Sequence, residues 1–137
     1  MNDNTSPKPT DRLPFRLTDL HPAVRPRYAE LIRMNEEYAK AEGLQFLPFE
    51  GFRTPERQLQ LQAEKRTWVG PWRSPHQWGL AVDFVPKIKG NWSWDAPEEE
   101  WSLLKIRAIR CGLSVPIEKD KVHVEARDMW FQLRALT

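Results

Sequence analysis

The sequence predicts an α+β domain in which helices flank a small antiparallel sheet. Helical and strand patterns interleave along its 137 residues, but without the regular alternation of a parallel α/β protein. The length suits one domain with its own core, and 40% hydrophobic with 29% charged residues is typical of a globular protein. Residues 1–12 are polar and contain two prolines, which predicts a flexible arm before a single domain over 13–137.

The first half of the domain predicts a helix, a strand and a second helix. Apolar residues recur at helical spacing over 22–41. The aliphatic and aromatic run over 44–52 predicts a strand, and Pro48 within it indicates a sheet edge or a bulge. Thr54 is a good helix cap and the proline after it suits a first helical turn, so the second helix begins there and runs to about residue 66.

The second half of the domain predicts shorter elements around one more long helix. The segment DAPE at 95–98 has the composition of a helix start, with Asp95 or Ala96 near the cap, and basic residues follow near the helix end. The predicted elements are, in order, a loop over 67–77, a strand over 80–85, a hairpin or loop over 87–95, a helix from about 95 to 111, a strand over 121–126 and a short helix over 128–135.

Composition and charge exclude several classes of protein. A net charge of +2 is too small to indicate a nucleic-acid-binding protein. No stretch approaches the roughly 18 apolar residues of a membrane-spanning helix, and the N-terminus lacks the apolar core of a signal peptide. The single cysteine, Cys111, excludes an internal disulfide. We therefore expect a monomer that is synthesised in the cytoplasm and does not insert into membranes.

Two of the predicted strands each carry one polar, metal-competent side chain on the face opposite their valines. Side chains alternate along a strand, so Asp83 in AVDFV and His123 in KVHVE point away from the apolar residues beside them. If the two strands are neighbours in one sheet, Asp83 and His123 converge, and His76 joins them from the preceding loop. Burying an unpaired carboxylate is costly, whereas two imidazoles and one carboxylate suit a catalytic zinc whose fourth position is left to water.

A hydrolytic zinc site also needs a base, and two acids are candidates. Asp120 lies three residues before His123, at the turn into the strand, so its carboxylate can approach the same cavity without binding the metal. Glu125 shares a strand face with His123, but it lies two residues further along the strand. This position suits a contact to a metal-binding residue or to substrate better than it suits the role of base. Taken alone, a histidine beside aromatic residues or an aspartate in a strand is more often structural, so the spacing by itself leaves that alternative open.

The spacing around His76 also matches a known signature. Ser74-x-His76-x-x-Gly79-x-Ala81-x-Asp83 resembles the S-x-H-x-x-G-x-A-x-D motif of the zinc D-alanyl-D-alanine carboxypeptidase family, which includes phage L-alanyl-D-glutamate endopeptidase endolysins. GFRT at 51–54 is similar to the family's G-[YF]-R-[ST] segment, and DKVH at 120–123 to its terminal acid-x-x-His element, in the version found among endolysin-like members. The resemblance covers about residues 44–125 and implies the small antiparallel sheet with flanking helices of the Hedgehog/DD-peptidase fold.

The resemblance implies a role for each residue that matches the family's motifs. His76, Asp83 and His123 would be the zinc ligands. Asp120 would act as general base and then as general acid. Arg53 would stabilise the oxyanion of the tetrahedral intermediate or hold a substrate carboxylate.

Other uses of the neighbouring polar and aromatic residues are also open. Arg53 has a structural alternative, a surface salt bridge with Glu50 or Glu56. Ser74 would hydrogen-bond substrate or a ligand, or else cap the loop. Trp78 is a candidate for substrate contact. Five tryptophans are expected either to pack in the core or, for at most two of them, to line a groove for glycan or stem peptide: Trp68, Trp72, Trp78, Trp92 and Trp94.

The function implied by the resemblance is a zinc-dependent peptidase that cleaves the stem peptide of bacterial peptidoglycan. An L-alanyl-D-glutamate endopeptidase of the phage endolysin type fits best, acting on the wall after release or as part of a virion. The alternatives are a D-alanyl-D-alanine carboxypeptidase and a non-catalytic, zinc-containing wall-binding module. LSVPIEK at 113–119 is short and lacks the Trp- and Gly-rich loop expected before the terminal motif, so the resemblance leaves open which bond is cleaved.

Overall fold

A small antiparallel sheet with flanking helices forms the molecule, which confirms the predicted α+β class. The computed structural model describes residues 8–136. Short 3-10 helices occur at Leu17–Asp19, Pro22–Val24 and Pro75–Trp78. The other elements are, in chain order, α1 (Arg25–Glu42), β1 (Phe46–Glu50), α2 (Pro55–Ala63), β2 (Ala81–Ile88), β3 (Asn91–Trp92), α3 (Glu98–Arg110), β4 (His123–Glu125) and α4 (Arg127–Ala135).

The long strand β2 is the centre of the sheet and pairs with each of the other strands. β1 lies antiparallel to it at the sheet edge, and the register shifts between Pro48 and Glu50, so the edge and bulge predicted at this proline are confirmed. β3 forms a hairpin with the end of β2, as predicted. β4 pairs antiparallel with the beginning of β2, where Asp83 lies opposite His123. The two strands predicted to carry the polar site are therefore neighbours.

The first two helices begin close to their predicted positions. α1 starts at Arg25 because the chain first forms a 3-10 turn over Pro22–Val24, after which Pro26 occupies the first helical turn. A proline is tolerated there because the N–H that it lacks would have no partner within the helix. Thr54 caps α2 by accepting a hydrogen bond from the Arg57 backbone N–H, as predicted, although α2 ends at Ala63.

The N-cap of the third long helix lies within the predicted segment, one residue after Ala96. Pro97, in an extended conformation, is the N-cap of α3, and Asp95 and Ala96 lie before the helix. Glu98 and the two glutamates after it fill the first turn. Their negative charges oppose the positive end of the helix dipole, which stabilises this start without a side-chain cap.

Apolar side chains from the sheet and from α1, α3 and α4 form one core. Val82 and Phe84 are fully buried in it, as the alternation along β2 predicts. Tyr28 of α1 is also fully buried, and its hydroxyl lies 3.0 Å from the Leu80 carbonyl oxygen and 3.1 Å from that of Val124. This contact holds α1 against the neighbouring strands β2 and β4, on the side of the sheet opposite Asp83.

The described end of the predicted N-terminal arm contacts the domain. Arg12 donates a hydrogen bond from Nη1 to the Phe49 carbonyl oxygen at 2.5 Å, and the Thr54 hydroxyl donates to the carbonyl oxygen of Pro9 at 2.9 Å. The rest of the arm, residues 1–7, lies outside the described residues, so a domain boundary at residue 12 stays a prediction. No helix over residues 8–136 is both long and apolar enough to cross a membrane.

Candidate metal centre

His76, Asp83 and His123 converge on one point at the polar face of the sheet. Each offers one ligand atom, and these three atoms lie within 4.8 Å of one another. Asp83 Oδ1 is 3.2 Å from His76 Nε2 and 3.6 Å from His123 Nδ1. Four ligands placed tetrahedrally about 2.0–2.1 Å from a zinc ion are themselves about 3.3–3.4 Å apart. The spacing of the three side chains therefore fits such an ion.

Hydrogen bonds fix the tautomer of each imidazole. His76 Nδ1 lies 2.8 Å from the Gly51 carbonyl oxygen, which can only accept, so Nδ1 carries the proton. His123 Nε2 lies 2.8 Å from Glu125 Oε1, and this buried carboxylate likewise accepts. In their neutral forms both rings therefore direct an unprotonated nitrogen towards Asp83 Oδ1, which is buried and has no hydrogen-bond partner among the described residues. Three facing lone pairs repel one another unless a proton or a metal ion lies between them, and two imidazoles with one carboxylate are a common ligand set for zinc.

The electrostatics of the cluster lead to the same conclusion. Burial alone would raise the pKa of Asp83, but when the two rings carry a proton on the nitrogen that faces it, the charge of His76 and hydrogen bonds from His123 and His76 outweigh burial and hold that pKa well below its ordinary value. Burial would lower the pKa of His123, yet hydrogen bonds and charges from Asp83 and Glu125 raise this pKa to about 9. Two carboxylates in a poorly solvated site thus stabilise positive charge, and a divalent cation supplies more of it than a proton does.

The GFRT segment holds His76 in place. Gly51 accepts the ring hydrogen bond through its carbonyl, and the Arg53 backbone N–H donates to the His76 carbonyl oxygen at 3.1 Å. Ser74 accepts from the His76 backbone N–H at 3.3 Å and, with Gln77, forms a capping box around the 3-10 helix. The capping role that the sequence left open for Ser74 is therefore present, and its contact with substrate stays a prediction.

The two signature positions without metal chemistry have steric explanations. Gly79 ends the 3-10 helix with φ +68, a left-handed conformation that favours glycine. A Cβ there would lie 2.6 Å from the His21 backbone nitrogen, which leaves no room for a side chain. Ala81 is fully buried and pairs with Glu125 across the β2–β4 ladder. Both residues fix how the 3-10 helix that carries His76 joins the strand that carries Asp83.

Arg53 lies at the floor of the site in a buried ion-pair network. Its Nη2 donates to Glu50 Oε1 at 2.9 Å and lies 3.5 Å from Asp83 Oδ2, while Nη1 donates to Gln58 Oε1 at 2.9 Å. The salt bridge to Glu50 that the sequence left open is thus present, but it is buried rather than at the surface. Arg57 Nε binds the other oxygen of Glu50 at 3.0 Å.

The sequence offered Glu50 only as one of two surface partners for Arg53, and it did not predict that Glu50 is buried and also binds Arg57. The available signal was a glutamate directly before the GFRT segment, at the end of a strand whose other residues are apolar or proline. Burial alone would raise the pKa of Glu50, but the charge of Arg53 and hydrogen bonds from Arg53 and Arg57 outweigh it and lower that pKa. Glu50 is therefore ionised where it binds both arginines.

Asp120 lies in the turn before β4 and faces the same cavity. Its backbone accepts from the His123 N–H at 3.2 Å, which places it next to the metal ligands. Among the described residues its carboxylate forms no hydrogen bond. Burial, and then the charge of Asp83, raise the pKa of Asp120 above its ordinary value. A half-buried carboxylate with a raised pKa is suited to accepting and returning a proton.

All seven candidate residues line one open cleft of about 1120 Å³. Trp72, Trp78 and Trp94 stand at its rim, exposed, and none of them is part of the core. The cleft contains more basic than acidic side chains. Its four acids are Glu50, Asp83, Asp120 and Glu125. Its arginines are Arg53, Arg57, Arg66, Arg73, Arg127 and Arg134.

Two solved structures share this fold. The L-Ala D-Glu endopeptidase ChiX of Serratia marcescens is 24% identical with a TM-score of 0.58, and the match covers 90% of this chain and 92% of that one. A mutant of the vancomycin-resistance D,D-pentapeptidase VanY of a VanB-type cassette, in complex with Zn(II), is 19% identical with a TM-score of 0.57. That match covers 85% of this chain and 79% of VanY.

No protein-family model and no curated protein matches the sequence. At these identities the structural similarity concerns the fold. The chain has the fold shared by ChiX and VanY, as the sequence motifs predicted.

Proposed function

We propose that this protein is a zinc-dependent peptidase that cleaves the stem peptide of bacterial peptidoglycan, with the L-alanyl–D-glutamyl bond as its target. The observation that carries the proposal is the convergence of His76 Nε2 and His123 Nδ1 on Asp83 Oδ1, a buried oxygen without a hydrogen-bond partner among the described residues. The fold supports it, because ChiX is named an L-Ala D-Glu endopeptidase and VanY was solved with Zn(II). The excess of arginine in the cleft suits a stem peptide, which carries free carboxylates.

His76, Asp83 and His123 would hold the metal, and their hydrogen-bond partners would keep them oriented. A zinc ion bound there supplies Lewis acidity, which polarises a carbonyl and makes water a better nucleophile at neutral pH. No cysteine is near enough to close the site, since Cys111 lies at the end of α3. A site with three protein ligands is typical of catalysis rather than of structural zinc.

Asp120 would move the proton during hydrolysis. Its carboxylate takes one proton from the attacking water as the water oxygen bonds to the carbonyl carbon. It returns that proton to the amine nitrogen as the C–N bond breaks, so the same group acts as base and then as acid. Arg53, fixed by Glu50 and Gln58, supplies positive charge beside the carbonyl oxygen that becomes negative.

The proposal extends to where the protein acts. A peptidase for this substrate works on the cell wall, after release from the cell in which it is synthesised or as part of a virion. A phage endolysin is the member of this functional class that the sequence motifs favour. We propose no membrane insertion and no nucleic-acid partner, and we expect the protein to act as a monomer.

Product masses from defined muropeptides test the reaction. Purified protein is incubated with tripeptide, tetrapeptide and pentapeptide stems, with and without a chelator. We expect cleavage between the first and second stem residues of all three, and its loss with chelator. Release of a single D-alanine from the pentapeptide alone would instead identify a D,D-carboxypeptidase. The absence of product from all three stems would contradict a peptidase and favour a non-catalytic wall-binding module.

Two variants separate metal binding from proton transfer. Asp120→Ala should retain zinc and lose hydrolysis by about 10²–10⁴-fold, the usual contribution of general acid–base catalysis. His76→Ala should lose zinc as measured by metal analysis. Glu118, exposed in the same loop, provides the matched control Glu118→Ala, which should keep both zinc and activity. Unchanged hydrolysis by Asp120→Ala would contradict the assigned base, and full zinc content in His76→Ala would contradict the ligand set.

A further inference from the structure

The loop between α2 and β2 exposes three tryptophans beside the metal cleft. Trp68 is 97% exposed, Trp72 52% and Trp78 37%. Exposed large apolar side chains are common singly, but a group of them in one loop marks an interaction surface. We call Trp68, Trp72 and Trp78 the tryptophan platform.

Buried amides hold this loop against α2. Gln58 of α2 is fully buried and donates from Nε2 to the Val69 carbonyl oxygen at 2.8 Å. Gln77, also buried, donates from Nε2 to Gln58 Oε1 at 3.1 Å. Buried side-chain amides that bond a loop carbonyl fix the position of the loop backbone. The exposed tryptophans thus project from an anchored segment.

The backbone at Trp72 is held in an unfavourable conformation. Its φ is +65, in the left-handed region that side chains other than glycine rarely adopt. Such a conformation costs roughly 1–3 kcal/mol and persists when its surroundings enforce it. Trp78 helps to enforce it, because its indole Nε1–H donates to the Trp72 carbonyl oxygen at 3.1 Å. The two rings lie 5.4 Å apart at 57°, and both stay accessible.

Two of the three platform tryptophans line the cleft, and the third lies outside it in the same loop. Trp72 and Trp78 line the same cavity as the metal ligands, whereas Trp68 lies outside that cavity. A substrate that occupies the cleft and also reaches Trp68 must therefore be longer than the part that is cleaved. Lys65, Arg66 and Arg73 are exposed in the same loop and, although Arg66 pairs with Glu64 at 3.6 Å, the loop keeps a net positive charge that suits an anionic polymer.

We propose that Trp68 and Trp72 bind the sugar rings of the glycan strand to which the stem peptide is attached, an inference that rests on the proposed function. The C–H groups of a pyranose ring carry partial positive charge, and the face of an indole carries partial negative charge, so the two stack. Exposed indoles that are anchored through their backbone need little ordering on binding.

This placement of the glycan bears on which bond is cleaved. L-Alanine is the first residue of the stem, so the L-alanyl–D-glutamyl bond lies one residue, about 3.5 Å of chain, from the lactyl group through which the stem joins the glycan. A D-alanyl–D-alanyl bond lies four residues away, about 14 Å in an extended chain. Because Trp72 lines the same cavity as the metal ligands, a sugar bound at this ring favours cleavage of the bond that lies closer to the glycan.

Glycan that has been stripped of its stem peptides tests the platform independently of catalysis. Calorimetric titration of the zinc-loaded protein with such chains should show binding, and Trp68→Ala should weaken it by about three- to tenfold, as expected for one stacked ring. Trp68→Tyr keeps an aromatic face and should retain most of the affinity, whereas Trp68→Leu keeps only an apolar surface and should not. Ile109→Ala, at an exposed apolar position on α3, is the control and should bind as the unmodified protein does.

Several results would overturn the proposal. They are the absence of binding to stripped glycan, equal affinity of Trp68→Ala, and equal losses in Trp68→Tyr and Trp68→Leu. Trp68-dependent binding to phosphatidylglycerol–phosphatidylethanolamine vesicles, with glycan binding unaffected by Trp68→Ala, would identify a membrane-binding surface instead. Because no stem is present, Trp68-dependent binding of glycan by a protein that cleaves no muropeptide would uphold the platform and reject the proposed peptidase.

Discussion

Glu125 should control the affinity of the site for zinc although it is not one of the predicted ligands. Its Oε1 accepts a 2.8 Å hydrogen bond from His123 Nε2, which leaves Nδ1 free to face Asp83. Replacing Glu125 by glutamine keeps an oxygen that can accept this bond but removes the negative charge. Replacing it by alanine removes both, and leaves a buried N–H of His123 without its partner.

The size of the effect follows from these two losses. Removing the hydrogen-bond partner of a metal-binding histidine weakens metal affinity by about 10–100-fold. We place Glu125→Ala at the upper end, about 100-fold or 2.7 kcal/mol, because Glu125 is buried and water replaces it poorly. Glu125→Gln should lose about tenfold, since the tautomer of His123 is preserved and only the charge is lost.

Competition with a chromophoric chelator measures the zinc affinity of each variant at fixed pH. Glu118→Ala, which removes an exposed glutamate from the preceding loop, serves as the control and should retain the affinity of the unmodified protein. Circular dichroism checks that each metal-free variant is folded. If Glu125→Ala and the unmodified protein bind zinc within about twofold of each other, the hydrogen bond does not orient the ligand and the reasoning fails.

Two further predictions concern the framework of the site. Gly79→Ala should destabilise the fold by about 3 kcal/mol in urea denaturation, because its Cβ would lie 2.6 Å from the His21 backbone nitrogen. Gly90→Ala is the control: Gly90 is also at positive φ but has open space around it, so the change should cost only about 1 kcal/mol. Equal losses of stability in the two variants would refute the steric explanation. Glu50→Gln should lower stability at pH 7 by about 3 kcal/mol because it breaks a buried ion pair. Since the folded pKa of Glu50 lies below its ordinary value of 4.5, its stabilising contribution is present above that value and is lost as the pH falls through the folded pKa. Between pH 7 and pH 3, the free energy of unfolding should therefore fall less in Glu50→Gln than in the unmodified protein. An equal fall in both proteins would contradict the assigned ion pair.

The sheet and the metal cluster were predictable because both depend on local patterns. Alternation along AVDFV and KVHVE determined which side chains point away from the core, and β4 pairs with β2 so that Asp83 faces His123. His76 was predictable only by its spacing from Asp83, because nothing in the loop sequence shows that a 3-10 helix carries it. The motif around His76 identified it as a candidate ligand, which periodicity could not do. The close approach of Gly79 to the His21 backbone explains why that motif position requires glycine.

The partners that position the site were harder to predict because they come from distant parts of the chain. Gly51 meets His76 across 25 residues, and Gln58 meets Gln77 across 19. No periodic pattern links such pairs. The burial of Glu50 escaped prediction for a related reason: it depends on Arg53 and Arg57, both of which look like surface residues in the sequence.

The tryptophans show where a reasonable expectation from the sequence fails. Aromatic residues usually add core area, so core packing was the expected use for most of Trp68, Trp72, Trp78, Trp92 and Trp94, yet none of these belongs to the core. The positive φ of Trp72 has no signal in the sequence, since left-handed positions are normally marked by glycine or asparagine. A strained tryptophan at the rim of a metal cleft is easier to explain by what the loop binds than by how the chain folds. In the proposed role, the strained backbone at Trp72 keeps its ring exposed at the cleft, and titration of the protein with stripped glycan therefore tests this explanation directly.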